Sequence, residues 1–403
     1  MIALPTPVAG SEPSARPVRE LGSSIAPPTV LETRVVSGTG GGPDKTILNT
    51  PRFLEPYGYR TVCAYFHPPE DPGFDAIRRR AEASSAPLIA LPDRGPFDVS
   101  LIRRTLDVCR RENVVAWHGH DYKSNLLGLI VRRWHPMRLL TTVHGWVFKS
   151  WKASIYFRVD RWCLRRYERV VCVSPDLVEE CLKGGVPRDR VQLIENAIDV
   201  PNYERTQSKE AARRQFDIAP EQALIVAVGR LSPEKNFRML IQSAARLISE
   251  GRNIAVAIAG EGSQREELQA LIASTGYADR IRLVGFLSDP RPLYEAADVY
   301  ALSSDREGLP NVLLEAMAYS LPVVSTAVAG VPRLIQDGAN GLLTPMADEP
   351  SFYGALRRVV DEVGLRQRLG DAGRATIEAR YTFENRMRQF AAVYAELQIP
   401  KAW

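Results

Sequence analysis

Disulfide chemistry is the first thing this sequence leaves little room for. Its 403 residues include five cysteines, Cys63, Cys109, Cys163, Cys172 and Cys181. The number is odd and no C-x-x-C pair occurs, so neither a disulfide framework nor a structural zinc site is expected, and a reducing cytosol is the natural compartment. No apolar run approaches the roughly eighteen residues that a membrane-spanning helix needs. The amino terminus lacks a basic start followed by a continuous apolar segment, so no secretory signal is expected. There is no D-x-D anywhere, which argues against a carboxylate-held metal. Helix-turn-helix, zinc-finger and RNP-like patterns are missing too, and nucleic acid is not an expected partner.

What is present is the balance of a globular protein: 45% hydrophobic and 25% charged residues. At roughly 100–200 residues per domain, the length implies two domains or three. The net charge of +5 is mild but uneven. Eleven Lys/Arg residues fall between Lys123 and Arg169, opposed by Asp160 and Glu168 alone. A basic face of this kind attracts phosphates or anionic lipid.

Residues 1–32 are rich in proline (Pro5, Pro7, Pro13, Pro17, Pro27, Pro28) and have no apolar period, which predicts a disordered tail. From Thr33 short β-rich runs alternate with helical stretches. Strands are predicted over Thr33–Ser37, Arg60–Phe66, Pro87–Leu91, Val114–Trp117, Leu139–Val143, Val170–Val173 and Val191–Ile194. The polar stretch Asp199–Ser208 reads as a linker. A second series follows, with strands over Leu224–Val228, Ile254–Ala259, Ile281–Val284, Val299–Leu302, Val323–Ser325 and Gly341–Leu343. Alternation of this kind implies βαβ units and parallel sheets. The expected division is therefore a first Rossmann-like domain over 33–200, a second over 201–380, and a last helix within 381–403 packing back on the first domain. Two Rossmann-like halves leave a cleft, and ligands of open α/β sheets bind beyond the carboxyl ends of the strands.

Three loops in those positions carry candidate chemistry. Ser37-Gly-Thr-Gly-Gly-Gly-Pro-Asp-Lys45 follows the first strand and opens a helix, where free N–H groups suit an anion. Pro43 stands where a dinucleotide fingerprint needs glycine, and the second strand ends in His67 rather than an acid, so NAD is not expected. A tight turn with no ligand is the plain alternative. Gly229-Arg-Leu-Ser-Pro-Glu-Lys-Asn236 places Arg230 and Lys235 in a strand-to-helix turn, where guanidinium and ammonium can clamp phosphate oxygens. A solvated turn is the alternative there. The third loop, Ser303-Ser-Asp-Arg-Glu-Gly-Leu-Pro-Asn-Val-Leu-Leu-Glu-Ala-Met317, puts Glu307 before a helix over Asn311–Ala318 and Glu315 on it. The amides of Gly308, Leu309, Asn311 and Val312 would face an anion; Pro310 has none to give.

Two carboxylates so spaced, with G-R-L-x-x-E-K upstream, resemble the retaining glycosyltransferases of family 4, whose fold is GT-B. Gly41-Gly42, His118-Gly-His-Asp121, Thr142-Val-His-Gly145, Val173-Ser174, Asn196-Ala-Ile-Asp199, Gly260-Glu-Gly262 and Val284-Gly-Phe286 agree with it. The resemblance covers about residues 33–397. It implies an α/β chain of two Rossmann-like parallel-sheet domains that moves a hexose-type sugar from a nucleotide diphosphate, UDP or GDP, to a saccharide or lipid-linked acceptor.

The resemblance also implies roles. Glu315 would hold the ribose hydroxyls, Glu307 the donor sugar, and Arg230 and Lys235 the diphosphate. Gly41 and Gly42 would close against that diphosphate, with Gly262 and Phe286 near the base. His144 matches the active-site histidine at the reacting end of the donor, with His120 and Asp121 as auxiliary or acceptor-side residues. Ala197 stands where the family commonly has glycine. No cofactor and no metal are expected. The run Trp146–Tyr167 could lie on anionic lipid, or form a helix packed on the first sheet with solvated arginines, the plainer reading. The expected location is the cytoplasm, with a peripheral place at the inner face of the membrane as the further reading. Two rivals stay open: a nucleotide-sugar epimerase of the same fold, and a non-catalytic nucleotide-sugar-binding protein.

Overall fold

The computed structural model describes residues 26–96, 98–145 and 151–403, with residues 151–155 by backbone only. Most of the expected tail and the opening of the Trp/Arg-rich run, 146–150, lie outside the described residues.

The first sheet has seven parallel strands: β1 Thr29–Val35, β2 Arg60–His67, β3 Leu88–Pro92, β4 Val114–Gly119, β5 Arg138–Val143, β6 Arg169–Cys172 and β7 Val191–Leu193, in the order 3-2-1-4-5-6-7. Helices α1 Gly42–Leu54, α2 Phe74–Ala83, α3 Val99–Arg111, α4 Tyr122–Val131, α5 Trp151–Leu164 and α6 Pro175–Lys183 connect them. Covering both faces is why β2 reads Thr-Val-Cys-Ala-Tyr-Phe-His, every one of them buried.

The first strand begins at Thr29 rather than Thr33. The sequence there offers only Val30 and Leu31 after a Pro-Pro pair, too short an apolar run to predict a strand. Its pairing decides the matter: the Thr29 amide donates to the Asn113 carbonyl, and Thr29 to Thr33 pair with β4, with one register shift between Thr29 and Val30.

The second sheet has six parallel strands: β8 Ala223–Val228, β9 Ile254–Ala259, β10 Ile281–Gly285, β11 Val299–Leu302, β12 Val323–Thr326 and β13 Leu342–Thr344, ordered 10-9-8-11-12-13. Its helices are α7 Lys209–Arg214, α8 Phe237–Ser249, α9 Arg265–Thr275, α10 Arg291–Ala296, α11 Asn311–Ala318, α12 Val331–Leu334, α13 Glu349–Asp361 and α14 Val363–Arg380. Each sheet reverses direction once, between β1 and β4 and between β8 and β11. Crevices form at such reversals, beyond the carboxyl ends of the strands.

The last helix, α15 Phe383–Glu396, leaves the second domain and packs on the first. Phe383, Met387, Phe390, Val393 and Tyr394 join Val30, Ala116, Leu140 and Val171 in one apolar cluster. The crossing is pinned where the Ile198 amide donates to the Tyr381 carbonyl at 2.9 Å and the Phe383 amide to the Ile198 carbonyl at 3.1 Å. Among the described residues, no helix is long and apolar enough to cross a membrane.

Candidate active site

Loops from both sheets converge because each leaves the carboxyl end of a strand at or next to a reversal point. After β1 the chain turns through Gly40, whose φ of +71° and lack of space (Asp44 Oδ2 would lie 2.5 Å from an added Cβ) demand glycine. Asp44 then holds the turn: it accepts from the Gly41 amide at 2.6 Å and pairs with Arg34 at 2.6 Å. Gly41 and Gly42 themselves have room, with no protein atom nearer than 3.9 and 3.7 Å to their Cβ positions.

The second sheet contributes the cationic wall. Adjacent strands β8 and β11 bring together two loops far apart in sequence, and the Asp305 amide donates to the Glu234 carbonyl at 2.9 Å. Lys235 Nζ lies 2.5 Å from Glu307 Oε1, which also accepts from Ser304 Oγ at 2.7 Å. Arg230 is exposed, and its guanidinium makes no ion pair among the described residues. Helix α11 begins at Asn311, with Pro310 as its N-cap rather than in its first turn. The amides of Gly308, Leu309, Asn311 and Val312 have no protein acceptor among the described residues, leaving a helix mouth with a partial positive charge.

Glu315, on α11, is 1% exposed. A buried carboxylate needs partners, and it has Lys45 Nζ at 2.6 Å and the Tyr294 hydroxyl at 3.0 Å. Burial, together with the Glu315 charge, pushes the Tyr294 phenol well above its ordinary value. The Asn311 side-chain amide donates to the Gly42 carbonyl at 3.0 Å, a second tie across the cleft.

The loops after β4 and β5 carry a chain of rings. His120 Nδ1 lies 3.0 Å from His144 Nε2, and His120 Nε2 lies 2.6 Å from Glu32 Oε2. His118 Nδ1 sits 3.0 Å from the other oxygen of Glu32, while its Nε2 meets Thr142 Oγ1 at 2.8 Å. Burial alone would raise the Glu32 carboxyl, but the charge and hydrogen bonds of His118 and His120 outweigh it and hold it down to about 2. Burial lowers His120 to about 4, and His144 is lowered well below the ordinary imidazole value, first by burial and then by His120 and the Arg34 charge.

Glu32, His118 and His120 are also the one group among the described residues whose ligand atoms cluster closely enough to hold an ion. Their separations of 2.6 and 3.0 Å are hydrogen bonds, shorter than the roughly 3.3 Å between ligand atoms that 2.0–2.1 Å bonds to tetrahedral zinc would set.

The two halves meet at His144. A side chain on Gly308 would come within 3.6 Å of the His144 carbonyl and 3.5 Å of Val173. Asn196 adds a strut, donating to the Leu309 carbonyl at 2.8 Å.

Family profiles match nearly the whole described chain: Glycosyltransferase Family 4 over residues 40–201 and Glycosyl transferases group 1 over residues 208–376. The chain belongs to the family 4, group 1 glycosyltransferases. This glycosyltransferase is 30% identical to the lipopolysaccharide core biosynthesis glycosyltransferase LpsE of Rhizobium meliloti, over 55% of its own length and 62% of LpsE. It is 29% identical to the alpha-D-kanosaminyltransferase of Streptomyces kanamyceticus, over 68% of its own length and 72% of that enzyme. Among solved structures, Anabaena Alr3699/HepE in complex with UDP-glucose superposes with a TM-score of 0.78 at 19% identity, covering 91% of this chain and 99% of HepE. That likeness is one of fold, and the fold is GT-B.

In this glycosyltransferase some of the predicted residues come together and others do not. His120 and His144 share a hydrogen bond, as do Lys235 and Glu307. Asp121 is committed elsewhere: Oδ1 accepts the amides of Lys123 and Ser124, and Oδ2 that of Val35, so it caps α4 and ties it to β1. Gly262 lies where a Cβ would be 2.2 Å from the Leu231 carbonyl oxygen, so backbone packing alone requires glycine. Phe286 stands 50% exposed. Sequence reasoning missed Glu32, Lys45 and Tyr294. No signal for Glu32 was available, because the apolar run before it is too short to mark the strand on which it lies.

Proposed function

We propose that this glycosyltransferase moves a hexose-type sugar from a UDP- or GDP-sugar to a saccharide or lipid-linked acceptor in polysaccharide or glycoconjugate synthesis. The transfer retains the anomeric configuration and needs no divalent metal. The observation that carries this reading is the cationic wall: the Arg230 guanidinium and four amides at the mouth of α11, all without a protein partner among the described residues, and Lys235 beside Glu307. Breaking a sugar–diphosphate bond builds negative charge on the leaving group, and fixed donors stabilise that charge without reorganising.

In this reading Arg230, Lys235 and the α11 amides take the diphosphate, and Glu315 takes the ribose. Glu307 holds the donor sugar while its bond to Lys235 keeps the ammonium in place. The acceptor attacks from the face the diphosphate leaves, with the phosphate receiving its proton. The His144 carbonyl, opposite Gly308, steadies the positive charge at the anomeric carbon, and its ring places a sugar hydroxyl. The activities named for LpsE and the UDP-glucose in HepE support a nucleotide-sugar donor and a saccharide acceptor. A lipid-linked acceptor is met at a membrane surface, and the exposed Trp134 and Trp162, 58% and 46% accessible amid arginines, support docking there.

Thermal-shift screening against nucleotide sugars, followed by transfer assays with and without chelator, tests the reading. The cognate donor at 100 times its dissociation constant should add about 2.7 kcal/mol of stability. Turnover abolished by chelator, or no shift with any nucleotide sugar, would overturn it. Donor isomerised without acceptor would favour the epimerase instead.

A further inference from the structure

One buried carboxylate sets the proton positions of three imidazoles. Glu32 is 0% exposed and sits on β1; His118 lies on the neighbouring β4, and His120 and His144 lie in the loops that follow β4 and β5. The rings stack in sequence, with centroids 4.4 Å apart for His118 and His120 and 5.3 Å for His120 and His144. The Tyr394 hydroxyl, from the returning helix α15, closes the far side at 3.4 Å from Glu32 Oε1.

An ionised carboxylate only accepts, so His120 must carry its proton on Nε2, the nitrogen 2.6 Å from Glu32. A neutral imidazole has one N–H, so His120 Nδ1 is a bare acceptor. The nitrogen opposite it, His144 Nε2, must then be the one that carries a proton. The remaining nitrogen, His144 Nδ1, has no partner among the described residues.

We propose that Glu32 and His120 are positioning residues for sugar transfer: they fix His144 as the Nε2–H tautomer, so that its Nδ1 accepts a hydrogen bond from a hydroxyl of the sugar in the cleft. This rests on the placement of His144 at the donor sugar. It adds the direction of the bond, and with it a requirement that the sugar donate at that point. The low pKa values of His120 and His144 agree, since both rings stay neutral near pH 7. His118, held by Thr142, occupies the other oxygen of Glu32 and keeps the carboxylate from turning.

The test is nitrogen-15 NMR of histidine-labelled full-length protein at about pH 7, where the two ring nitrogens report the tautomer. His144 is expected as Nε2–H in the unaltered protein. In Glu32→Gln the amide can donate to His120, so His144 should become a mixture of tautomers, and kcat should fall about 10–100-fold with donor KM little changed. That is the range seen when partners fixing the tautomer of a metal-bound histidine are lost. In a His120→Asn background the asparagine carbonyl can accept from His144 whatever occupies position 32, and the further effect of Glu32→Gln should vanish. An Nδ1–H proton on His144 in the unaltered protein overturns the proposal, even if the Glu32 variant fails to fold. So does a Glu32→Gln protein that keeps both tautomer and kcat. The functional reading fails separately: His144→Ala with full transfer activity would remove His144 from the site, whatever its tautomer.

Discussion

Lys45 Nζ sits 2.6 Å from Glu315 Oε1, joining the first helix of one domain to the helix that follows the Glu307 loop in the other. The lysine side chain is 35% exposed and the carboxylate 2%, so the pair is asymmetric: loss of the cation strands a buried charge, whereas loss of the acid frees a lysine that can reach water. Lys45→Met should therefore destabilise the protein more than Lys45→Met/Glu315→Gln does relative to Glu315→Gln. A double-mutant cycle by urea denaturation is expected to give a coupling of about 1 kcal/mol. A coupling indistinguishable from zero would mean that the two residues do not meet in solution.

Arg230 offers a cleaner separation of chemistry from stability. Because its side chain is exposed and makes no ion pair among the described residues, Arg230→Ala should leave Tm unchanged. Turnover should fall by about 10²–10³, the usual cost of one preorganised donor. Near-normal kcat would take Arg230 out of the mechanism.

Two glycines should respond in opposite ways. At Gly262 a methyl group would meet the Leu231 carbonyl at 2.2 Å, backbone that cannot swing aside. Gly262→Ala is expected to cost about 1–3 kcal/mol, as overpacking does. At Gly42 the nearest atom is 3.7 Å away and the position opens α1, so Gly42→Ala should keep or slightly raise Tm while raising donor KM. Equal stability losses in the two variants would contradict the difference in space.

Stability should decline on the acid side in two stages. The unfolded chain protonates His120 near its ordinary 6.5, whereas the folded chain refuses the proton until about 4, so stability is lost as pH falls between those values. Glu32, held to about 2 against an ordinary 4.5, extends the loss below pH 4.5. Denaturant midpoints measured from about pH 8 down to pH 5 should fall, and the slope should flatten in His120→Gln. A midpoint rising toward acid would refute the assignment.

Membrane docking predicts co-sedimentation with vesicles of an anionic phospholipid at low salt, weakening as salt is added and absent with zwitterionic vesicles. Trp162, with the Arg166 guanidinium 3.8 Å over its ring, is the natural probe, and Trp162→Ala should reduce binding. No sedimentation even at low salt would leave the basic helix as a solvated face.

Much of the fold was legible because parallel strands buried on both faces must be apolar throughout. The predicted Ile254–Ala259 and Val299–Leu302 match β9 and β11 to the residue. The start of β1 was not legible, because Thr29 gains its place from Asn113 and β4, not from its neighbours. The same division holds in the site. Glu307 and Glu315 stand out because a turn, a proline and a helix lie within one short segment. Lys45 does not, because its partner is 270 residues away, and Glu32 lies 88 residues from His120.

Local pattern thus determined the elements, their parallel pairing and the loops at the carboxyl ends of the strands, since each depends on burial and backbone preference over a few residues. Tertiary structure alone decided which charges meet across the cleft and which way the histidine protons point. Those depend on distances between strands and domains, and a buried charge takes whatever partner the packing brings within about 3 Å.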